Sequence, residues 1–476
     1  MGIRVGEYGS GKLSKNRNNI GPVKDEVPSA MDASAIIIGS GYSAAAALVH
    51  LTHAGLPLRQ ILVIGPGELG TGQAYGCTAK SYRLNVRVTG QRLWPDQPEH
   101  FADWATEHIK DPDAHTSAGS FYRRSDFAQY ITAQLALIPD AKAFRQINAW
   151  ATNITGEDND WLVACDDGAQ YRAERLVLAT GNPDPQWPTG IKPGRAPSLV
   201  RVPWRGDWVT QVKSKMHVCV VGAGLTAMDA LHALAMQQHQ GPISLLAPHG
   251  MLPPSQVDWG VPEPAYDWPT GLRGSDFSRE IRQYLGTRSW HHRDCQQRFE
   301  ALRVNVNPPW QMLPPKDRIR LQRRLGWLWS LIRFRANPQT VASVKAMKAS
   351  GQLNIIKTHL HGLAKADSGR WLVKLSNGGQ LTTHVVVNCT GMGRDKLIDT
   401  MISAGQIAPI ETTRQPWINS ELRVVASDGR PYDTLFCIGP ATGLALGDVL
   451  GATSIAHQAA QLAKTLVTNT SFKRVR

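Results

Sequence analysis

Two glycine-rich turns carry the residue types and the spacing that suggest chemistry in this 476-residue sequence. The first turn, Gly39-Ser40-Gly41, follows a run of apolar residues, and Ala44 comes three positions after it. In this pattern the first glycine allows a tight turn, the second lets the backbone approach a phosphate, and a small third residue lets a helix pack against a strand. The pattern predicts a dinucleotide whose pyrophosphate lies on a helix N-terminus, with a ligand-free, close-packed turn as the alternative.

The second turn, Gly222-Ala223-Gly224-Leu225-Thr226-Ala227, repeats this pattern 183 residues after Gly39. It also follows an apolar run, 217–221, and precedes a helical pattern that extends to about Met236. Two such units are far less expected by chance than one, so the sequence predicts a second dinucleotide site. Its predicted binding residues are Gly222, Gly224, Leu225 and Thr226.

The ribose contacts of both cofactors are less clearly marked. Gly65-Pro66 ends the second strand, where an acid for a ribose hydroxyl is expected, and Glu68 comes a few residues late. The strand 243–247, after the second turn, leads into Pro248-His249, which offers neither an arginine for a 2′-phosphate nor an acid for a 2′-hydroxyl. The sequence therefore does not distinguish NADPH from NADH.

Composition argues against several other classes of protein. The formal net charge is +14, but it is not gathered into one tail and no nucleic-acid recognition motif accompanies it, so an enzyme that handles anions is the preferred interpretation. The six cysteines are scattered without a Cys-x-x-Cys pair, which disfavours a thiol–disulfide enzyme and fits a cytoplasmic protein. No apolar run reaches the roughly 18 residues of a membrane span, and no metal-ligand spacing is present. The expected partner is a small molecule, and homo-oligomerisation stays open.

Residues 251–345 differ from the rest in composition, with six of the fifteen tryptophans and many arginines on one expected long helix that includes Arg318 and Arg335. One interpretation is a cap that encloses a substrate and supplies cations to an anionic group. The other is a helical insertion whose tryptophans pack and whose arginines face water. The residues alone leave both open.

Taken together, these motifs resemble the two-dinucleotide-binding flavoproteins. More narrowly they resemble the bacterial FAD–NAD(P)-binding family, which is related to flavin-dependent N-hydroxylating monooxygenases. The residues that carry the resemblance are Gly39-Ser40-Gly41, Ala74-Tyr75-Gly76, Leu84-Asn85-Val86, Ala179-Thr180-Gly181, Gly222-Ala223-Gly224-Leu225-Thr226, Trp329 with Arg333-Phe334-Arg335 and Pro338, and Asn388-Cys389-Thr390-Gly391.

The resemblance implies an α/β fold with two Rossmann-like dinucleotide-binding domains. The FAD domain is expected to be discontinuous, over 31–205 and 384–470, with the NAD(P) domain inserted at 206–383 and a mostly helical insertion at about 251–345. Residues 1–30 are expected to be a disordered extension. FAD is expected on the first turn and NADPH or NADH on the second. The cofactor-binding residues implied in this way are Gly39, Ser40, Gly41, Ala44, Thr180, Gly181, Gly222, Gly224, Leu225, Thr226, Gly391 and Gly439.

The function implied by the resemblance is an FAD-dependent, NAD(P)H-using monooxygenase that hydroxylates a small amine or amino acid through a C4a-(hydro)peroxyflavin. Asn85 is expected to orient flavin or nicotinamide, and Arg333 or Arg335 to bind a substrate carboxylate. Related flavoproteins often have Gly-Asp after the last strand, but this sequence has Gly439-Pro440, and the nearest Gly-Asp is Gly447-Asp448. A flavin reductase or oxidase of the same fold, and a non-catalytic nucleotide-binding protein, remain as alternatives.

Overall fold

The computed structural model describes residues 32–77 and 79–468, so the extension 1–30 lies outside the described residues. The strands are β1 (Asp32–Ile38), β2 (Ile61–Ile64), β3 (His115–Thr116), β4 (Gly119–Ser120), β5 (Arg145–Ile147), β6 (Ala151–Glu157), β7 (Asp160–Cys165), β8 (Gln170–Leu178), β9 (Leu199–Val200), β10 (Val218–Val221), β11 (Ile243–Leu246), β12 (Leu353–Ile356), β13 (Leu360–Lys365), β14 (Trp371–Leu375), β15 (Gln380–Thr383), β16 (Val385–Asn388), β17 (Arg423–Val425) and β18 (Pro431–Cys437). The helices are α1 (Tyr42–His53), α2 (Gly72–Tyr75), α3 (His100–His108), α4 (Arg124–Ala136), α5 (Leu225–Met236), α6 (Gly274–Leu285), α7 (Arg293–Val304), α8 (Asn307–Met312), α9 (Pro315–Arg333), α10 (Pro338–Ala349), α11 (Lys396–Ser403), α12 (Gly443–Leu446) and α13 (Ala452–Thr468).

The first sheet has the strand order β17-β18-β8-β1-β2-β5, with the β6–β7 hairpin joined to β8. Its centre is β1, which runs parallel to both of its neighbours, β2 and β8. Residues 44–47 of α1 are four fully buried alanines. Alanine favours the helix and leaves no long side chain to hold the helix away from the sheet. Because α1 also packs on α13, segments from both ends of the described chain close one core.

The second sheet has the order β12-β11-β10-β16-β9, and all of its pairings are parallel. Its three central strands are buried at every position. The sequence-based boundary is wrong here, because Val385–Asn388 and Leu199–Val200, assigned to the first domain, pair in this second sheet. Continuous apolar runs buried on both faces fit either parallel sheet, so the pattern alone could not place them.

Between β11 and β12 the chain forms α6 to α10. Phe299 and Leu302 of α7 are fully buried, and Trp268 and Trp329 pack in the small clusters of this insertion. These tryptophans therefore have a packing role. Arg318 is also buried and donates to backbone carbonyls, so not every arginine of the insertion faces water.

The expected long helix corresponds to α9, but α9 ends at Arg333, and Arg335 lies beyond its end. The antiparallel sheet β13-β14-β15 follows β12 along the chain. Within the two described segments, no helix is both long and apolar enough to cross a bilayer.

Candidate dinucleotide sites and the contact between them

The first turn is built by close backbone packing at Gly39. This residue has a φ of +122°, and a Cβ on it would lie 2.3 Å from the Ala179 carbonyl oxygen, just after β8. The Gly39 N–H donates to the carbonyl of Ile64 at the end of β2, with an N···O distance of 2.7 Å. The turn is therefore held between the two neighbours of β1, and only glycine fits there.

The second turn repeats these contacts one by one. Gly222 has a φ of +107°, and a Cβ on it would lie 2.2 Å from the Cys389 carbonyl oxygen, just after β16. Its N–H donates to the carbonyl of Leu246 at the end of β11, with an N···O distance of 3.0 Å. Leu225 and Thr226 begin α5 in half-buried positions. The two units predicted from the sequence are therefore equivalent in three dimensions.

Both turns lead into helices whose N-termini lack a side-chain cap. Gly41 is the N-cap of α1 and Gly224 is the N-cap of α5. Such N-termini present free N–H groups and the positive end of the helix dipole, which suit a pyrophosphate. Beside Gly39, the buried Thr180 hydroxyl has no hydrogen-bond partner among the described residues. The residues of both turns thus fit a dinucleotide, and Thr180 offers one further polar contact at the first.

The glycines of the Thr-Gly turns follow β8 and β16 and lie at corresponding places in the two units. Gly181 has a φ of +72° and Gly391 a φ of +95°. A Cβ on either residue would meet none of the described atoms within 4 Å. Both glycines are therefore required by the backbone conformation and leave open space at the edge where a cofactor would lie.

The structure explains why an acid is missing after β2. A Cβ on Gly65 would lie 2.6 Å from the carbonyl carbon of Gly39 and 2.6 Å from the amide nitrogen of Ser40. The chain after β2 therefore passes so close to the first turn that no side chain fits. Glu68, the nearest acid after β2, lies three residues later and is exposed.

Asn85 lies at the contact between the first region and the insertion. Its Oδ1 accepts hydrogen bonds from Asn337 N at 3.1 Å and Asn337 Nδ2 at 3.0 Å, and its carbonyl accepts from Gln256 Nε2 at 2.8 Å. The side chain is buried, and its Nδ2 has no hydrogen-bond partner within 3.5 Å in the described part of the chain, although Asn85 lies close enough to Asp229 to favour its carboxylate form. Leu84-Asn85-Val86 and the segment from Trp329 to Pro338, which both help to carry the family resemblance, are thus brought together by Asn85 and Asn337.

Arg333 and Arg335 are both engaged by carboxylates of the protein. Arg333 Nε donates to Asp448 Oδ2 at 2.8 Å, and Arg335 Nη2 contacts Glu300. Arg303 bridges the two carboxylates, at 2.8 Å from Glu300 and 3.3 Å from Asp448. Burial alone would raise the pKa of Glu300, but the neighbouring arginines outweigh it and lower this pKa to about 2. This geometry favours a scaffolding role, and binding of a substrate carboxylate by either arginine stays a prediction.

After the last strand, Gly439 lies tightly between two helices. A Cβ on it would lie 2.6 Å from Ser43 Oγ of α1, and its N–H donates to Gln458 Oε1 of α13 at 2.7 Å. Pro440 then starts a short 3-10 turn at the place where the family resemblance led us to expect an acid. Asp448 does not replace that acid, since its buried carboxylate is paired with Arg303 and Arg333.

Sequence reasoning missed a buried ion pair between the two nucleotide-binding regions. Arg124, the first residue of α4, places its Nη2 at 2.6 Å from Asp229 Oδ2 of α5. Asp229 was the available signal, because it is a lone acid in the otherwise apolar helix Leu225–Met236. A charged residue in such a place is rarely buried without a partner.

Residues that are far apart in the sequence also come together just after the end of β11. The His249 ring stacks on Trp327 of α9, with centroids 3.8 Å apart. Lys357, just after β12, lies beside Gly250, and its carbons would be 3.5 to 3.6 Å from a Cβ there. Because β12 pairs with β11, an exposed cation reaches the edge where the 2′ group of an NAD(P) ribose is expected.

Comparison with known proteins agrees with this architecture. A family model described as FAD-NAD(P)-binding matches residues 36–183, which include the first turn, Asn85, Thr180 and Gly181. Among curated protein sequences, no significant match is found.

Solved structures show the same fold at low identity. The FAD-bound cadaverine monooxygenase of Erwinia amylovora has a TM-score of 0.65 at 15% identity, over 92% of this chain and 95% of that chain. The ornithine N-hydroxylase of Kutzneria sp. 744, solved with reduced FAD, NADP⁺ and L-ornithine, has a TM-score of 0.60 at 13% identity, over 92% and 99%. The bacillithiol disulfide reductase of Bacillus cereus has a TM-score of 0.53 at 13% identity, over 92% and 100%.

At these identities the structural likeness establishes the fold and nothing finer. The family match confirms the resemblance drawn from the sequence motifs, and FAD and NAD(P) are the cofactors that its description names. Residues 36–183 therefore match an FAD-NAD(P)-binding family model, and the chain shares the fold of the flavin-containing structures named above.

Proposed function

We propose that this chain is an FAD-dependent, NAD(P)H-using monooxygenase that hydroxylates a small amine or amino acid. The observation that carries the proposal is the one-to-one equivalence of the Gly39 and Gly222 turns, each followed by an uncapped helix N-terminus. One dinucleotide site suffices for a protein that only binds a nucleotide. Two sites in one chain suit the transfer of a hydride from a pyridine nucleotide to a flavin.

The state of the cysteines favours oxygenation over disulfide chemistry. All six cysteines of the sequence lie in the described segments, where each is buried and free. Burial raises the pKa of Cys219 to about 12, and it raises the pKa of Cys77, which lies near the contact between the two regions. Thiol–disulfide exchange needs an accessible thiolate, so a reductase that uses its own cysteines is disfavoured.

NADPH is the proposed electron donor. Lys357 and His249 lie at the carboxyl end of the second sheet, beside the expected position of the ribose 2′ group. A lysine ammonium favours a phosphate there, and no acid of the strand end competes for a 2′-hydroxyl. The relevant acid would follow Leu246, where the chain has Ala247, Pro248 and His249.

The chain's own residues have distinct tasks in this proposal. When bound, FAD accepts the hydride and activates O₂, so the protein has to bind, orient and exclude water. The backbone N–H of Asn337 fixes which end of the Asn85 amide faces it, because an N–H needs an acceptor. Asn85 therefore keeps its Nδ2 as a donor. The Asn85 side chain lies close enough to Asp229 to favour its carboxylate form, and the remaining N–H is proposed to donate to a carbonyl group of flavin or nicotinamide.

The first test is the visible spectrum of the purified full-length protein, followed by anaerobic addition of NADPH or NADH. The expected result is a yellow protein that NADPH bleaches faster than NADH. Air and a panel of amines, including ornithine, lysine and cadaverine, should then give a hydroxylated product with one of them. A protein that stays colourless with added FAD would overturn the proposal and favour a non-catalytic nucleotide-binding protein.

A flavin reductase or oxidase of the same fold is the second candidate. The observation that favours it is the pairing of Arg333 and Arg335 with protein carboxylates, which leaves neither obviously free for an amino-acid carboxylate. Steady NADPH oxidation that requires a dye or quinone, and that no amine in the panel changes, would support this candidate against the monooxygenase.

A further inference from the structure

We propose that the ion pair between Arg124 and Asp229 is the positioning element that fixes the two nucleotide-binding regions against each other and couples their occupancy. This inference rests on the proposed function, because it needs a dinucleotide at each turn. Neither residue belongs to a glycine turn, and each acts through other residues.

The pair crosses the contact between the two regions in a buried place. Arg124 belongs to α4 on the first sheet's side, and Asp229 belongs to α5, which starts at the second turn. Their side chains are 20% and 6% exposed, and the Nη2···Oδ2 distance is 2.6 Å. A charge-assisted hydrogen bond in such buried surroundings requires a specific geometry of its two side chains. Removing one partner would leave the other charge buried and unpaired.

On the second-turn side, the pair lies one helical turn from the predicted nucleotide contact. Asp229 is four residues after Leu225, so both side chains lie on one face of α5. A pyrophosphate bound at the N-terminus of α5 and the side chain of Arg124 would therefore both contact the first turns of α5.

On the first-turn side, the connection runs through the backbone. Arg124 Nη1 donates to the Ala74 carbonyl of α2 at 3.2 Å. Gly72, at the start of that helix, packs against the first turn, since a Cβ on it would lie 2.7 Å from Gly41 Cα. Each turn is thus only a few residues away from the ion pair, along rigid and contacting backbone.

Apolar packing provides the contact area around the pair. Cys77 and Tyr82, from the chain after α2, pack in the hydrophobic core of the second region. The Tyr82 hydroxyl donates to the Pro203 carbonyl at 2.9 Å. Apolar contact is not directional, whereas the buried ion pair specifies one orientation of α5 relative to α4.

The test compares nucleotide affinity with and without FAD, so it does not depend on turnover. The Kd for NADP⁺ is measured by calorimetry on FAD-loaded and FAD-free full-length protein. We expect FAD to tighten NADP⁺ binding about fivefold or more in the wild type, a common size of coupling between sites. Asp229→Asn, which keeps the shape but removes the charge, should bring this ratio close to one. Its anaerobic flavin reduction at saturating NADPH should also slow about tenfold, because a small misplacement of the nicotinamide is costly.

The matched control is Asp111→Asn. Asp111 makes a buried ion pair with Arg83, at 2.8 Å, and a longer one with Arg123, at 3.5 Å, and all three residues belong to the first region. This variant should lose stability but keep the wild-type ratio of Kd values. If Asp229→Asn does not fold, Arg124→Lys keeps the charge with a different geometry and should show an intermediate ratio.

A ratio near one in the wild type, or an unchanged ratio in both Asp229→Asn and Arg124→Lys, would overturn the coupling while leaving two working sites. Loss of coupling in Asp111→Asn as well would reduce the effect to general destabilisation. If the wild type binds neither NADP⁺ nor NAD⁺ in any state, the proposed function itself fails, which is a distinct result.

Discussion

The roles of Gly222 and Gly224 in the second turn can be distinguished experimentally, because Gly222 is tightly packed and Gly224 is not. At Gly222, alanine would need a φ near +107° and would place its Cβ 2.2 Å from the Cys389 carbonyl oxygen. At Gly224 the φ is −84° and the ψ −169°, an extended conformation that any residue adopts, and no described atom lies within 4 Å of a Cβ. Gly222→Ala should therefore damage the fold, and Gly224→Ala should damage only binding.

The magnitudes follow from these surroundings. The left-handed conformation alone costs alanine about 1–3 kcal/mol at Gly222, and the clash with backbone atoms adds to this cost. Two effects oppose each other at Gly224. Alanine restricts the unfolded chain, which stabilises by about 0.4–1 kcal/mol, but it is a poorer N-cap than glycine and costs about as much, so Gly224→Ala should change stability by less than about 1 kcal/mol. Its methyl group, however, occupies the space through which a pyrophosphate approaches α5. Losing one charge-assisted hydrogen bond of about 1.5–3 kcal/mol weakens binding about 10- to 100-fold.

Thermal unfolding and the Kd for NADP⁺, both measured on the FAD-loaded protein, are the matching assays. Gly224→Ala should keep the melting temperature and the FAD content of the wild type while its Kd for NADP⁺ rises. The reasoning is refuted if this variant binds NADP⁺ as tightly as the wild type does, since the second turn would then be a packing feature without a ligand.

Three further predictions concern single side chains. Lys357→Met should weaken NADPH binding about 10- to 100-fold and leave the Kd for NADH unchanged, and an unchanged ratio of the two constants would remove Lys357 from the 2′-phosphate site. Burial and, to a smaller degree, Arg83 lower the pKa of His232 to about 4. The unfolded chain, with a histidine pKa of about 6.5, therefore binds the proton more tightly than the folded chain. About 3 kcal/mol of stability should be lost as the pH falls from about 6.5 to 4. The stability of His232→Gln should not show this pH-dependent loss, and a pH profile identical to that of the wild type would contradict the prediction. Arg333→Ala should cost about 1–3 kcal/mol in stability, because Asp448 keeps only Arg303, whereas a raised KM for the amine without loss of stability would restore Arg333 as a substrate ligand.

Local pattern was enough to predict both turns, because a tight turn, a short apolar strand and an apolar helix lie within about 20 residues of one another. Local pattern could not predict contacts between residues that are distant in the sequence. Lys357 reaches Gly250 only because β12 pairs with β11, and Asn337 meets Asn85 across 252 residues of sequence. The strand Val385–Asn388 shows the same limit, since its apolar run suits either sheet and only pairing with β10 assigns it.

The two equivalent turns differ in what covers them, and this difference bears on which cofactor each one holds. At the first turn the Gly70 N–H donates to the Ser40 carbonyl at 2.8 Å, and Gly72 packs against Gly41, so the chain after β2 folds over the site. At the second turn Gly224 is exposed and its surroundings are open. A cofactor that stays bound through many turnovers suits the covered turn, and one that enters and leaves in every turnover suits the open one. Burial therefore supports FAD on Gly39 and NADPH on Gly222 independently of any sequence motif, since the motifs at the two turns are nearly the same.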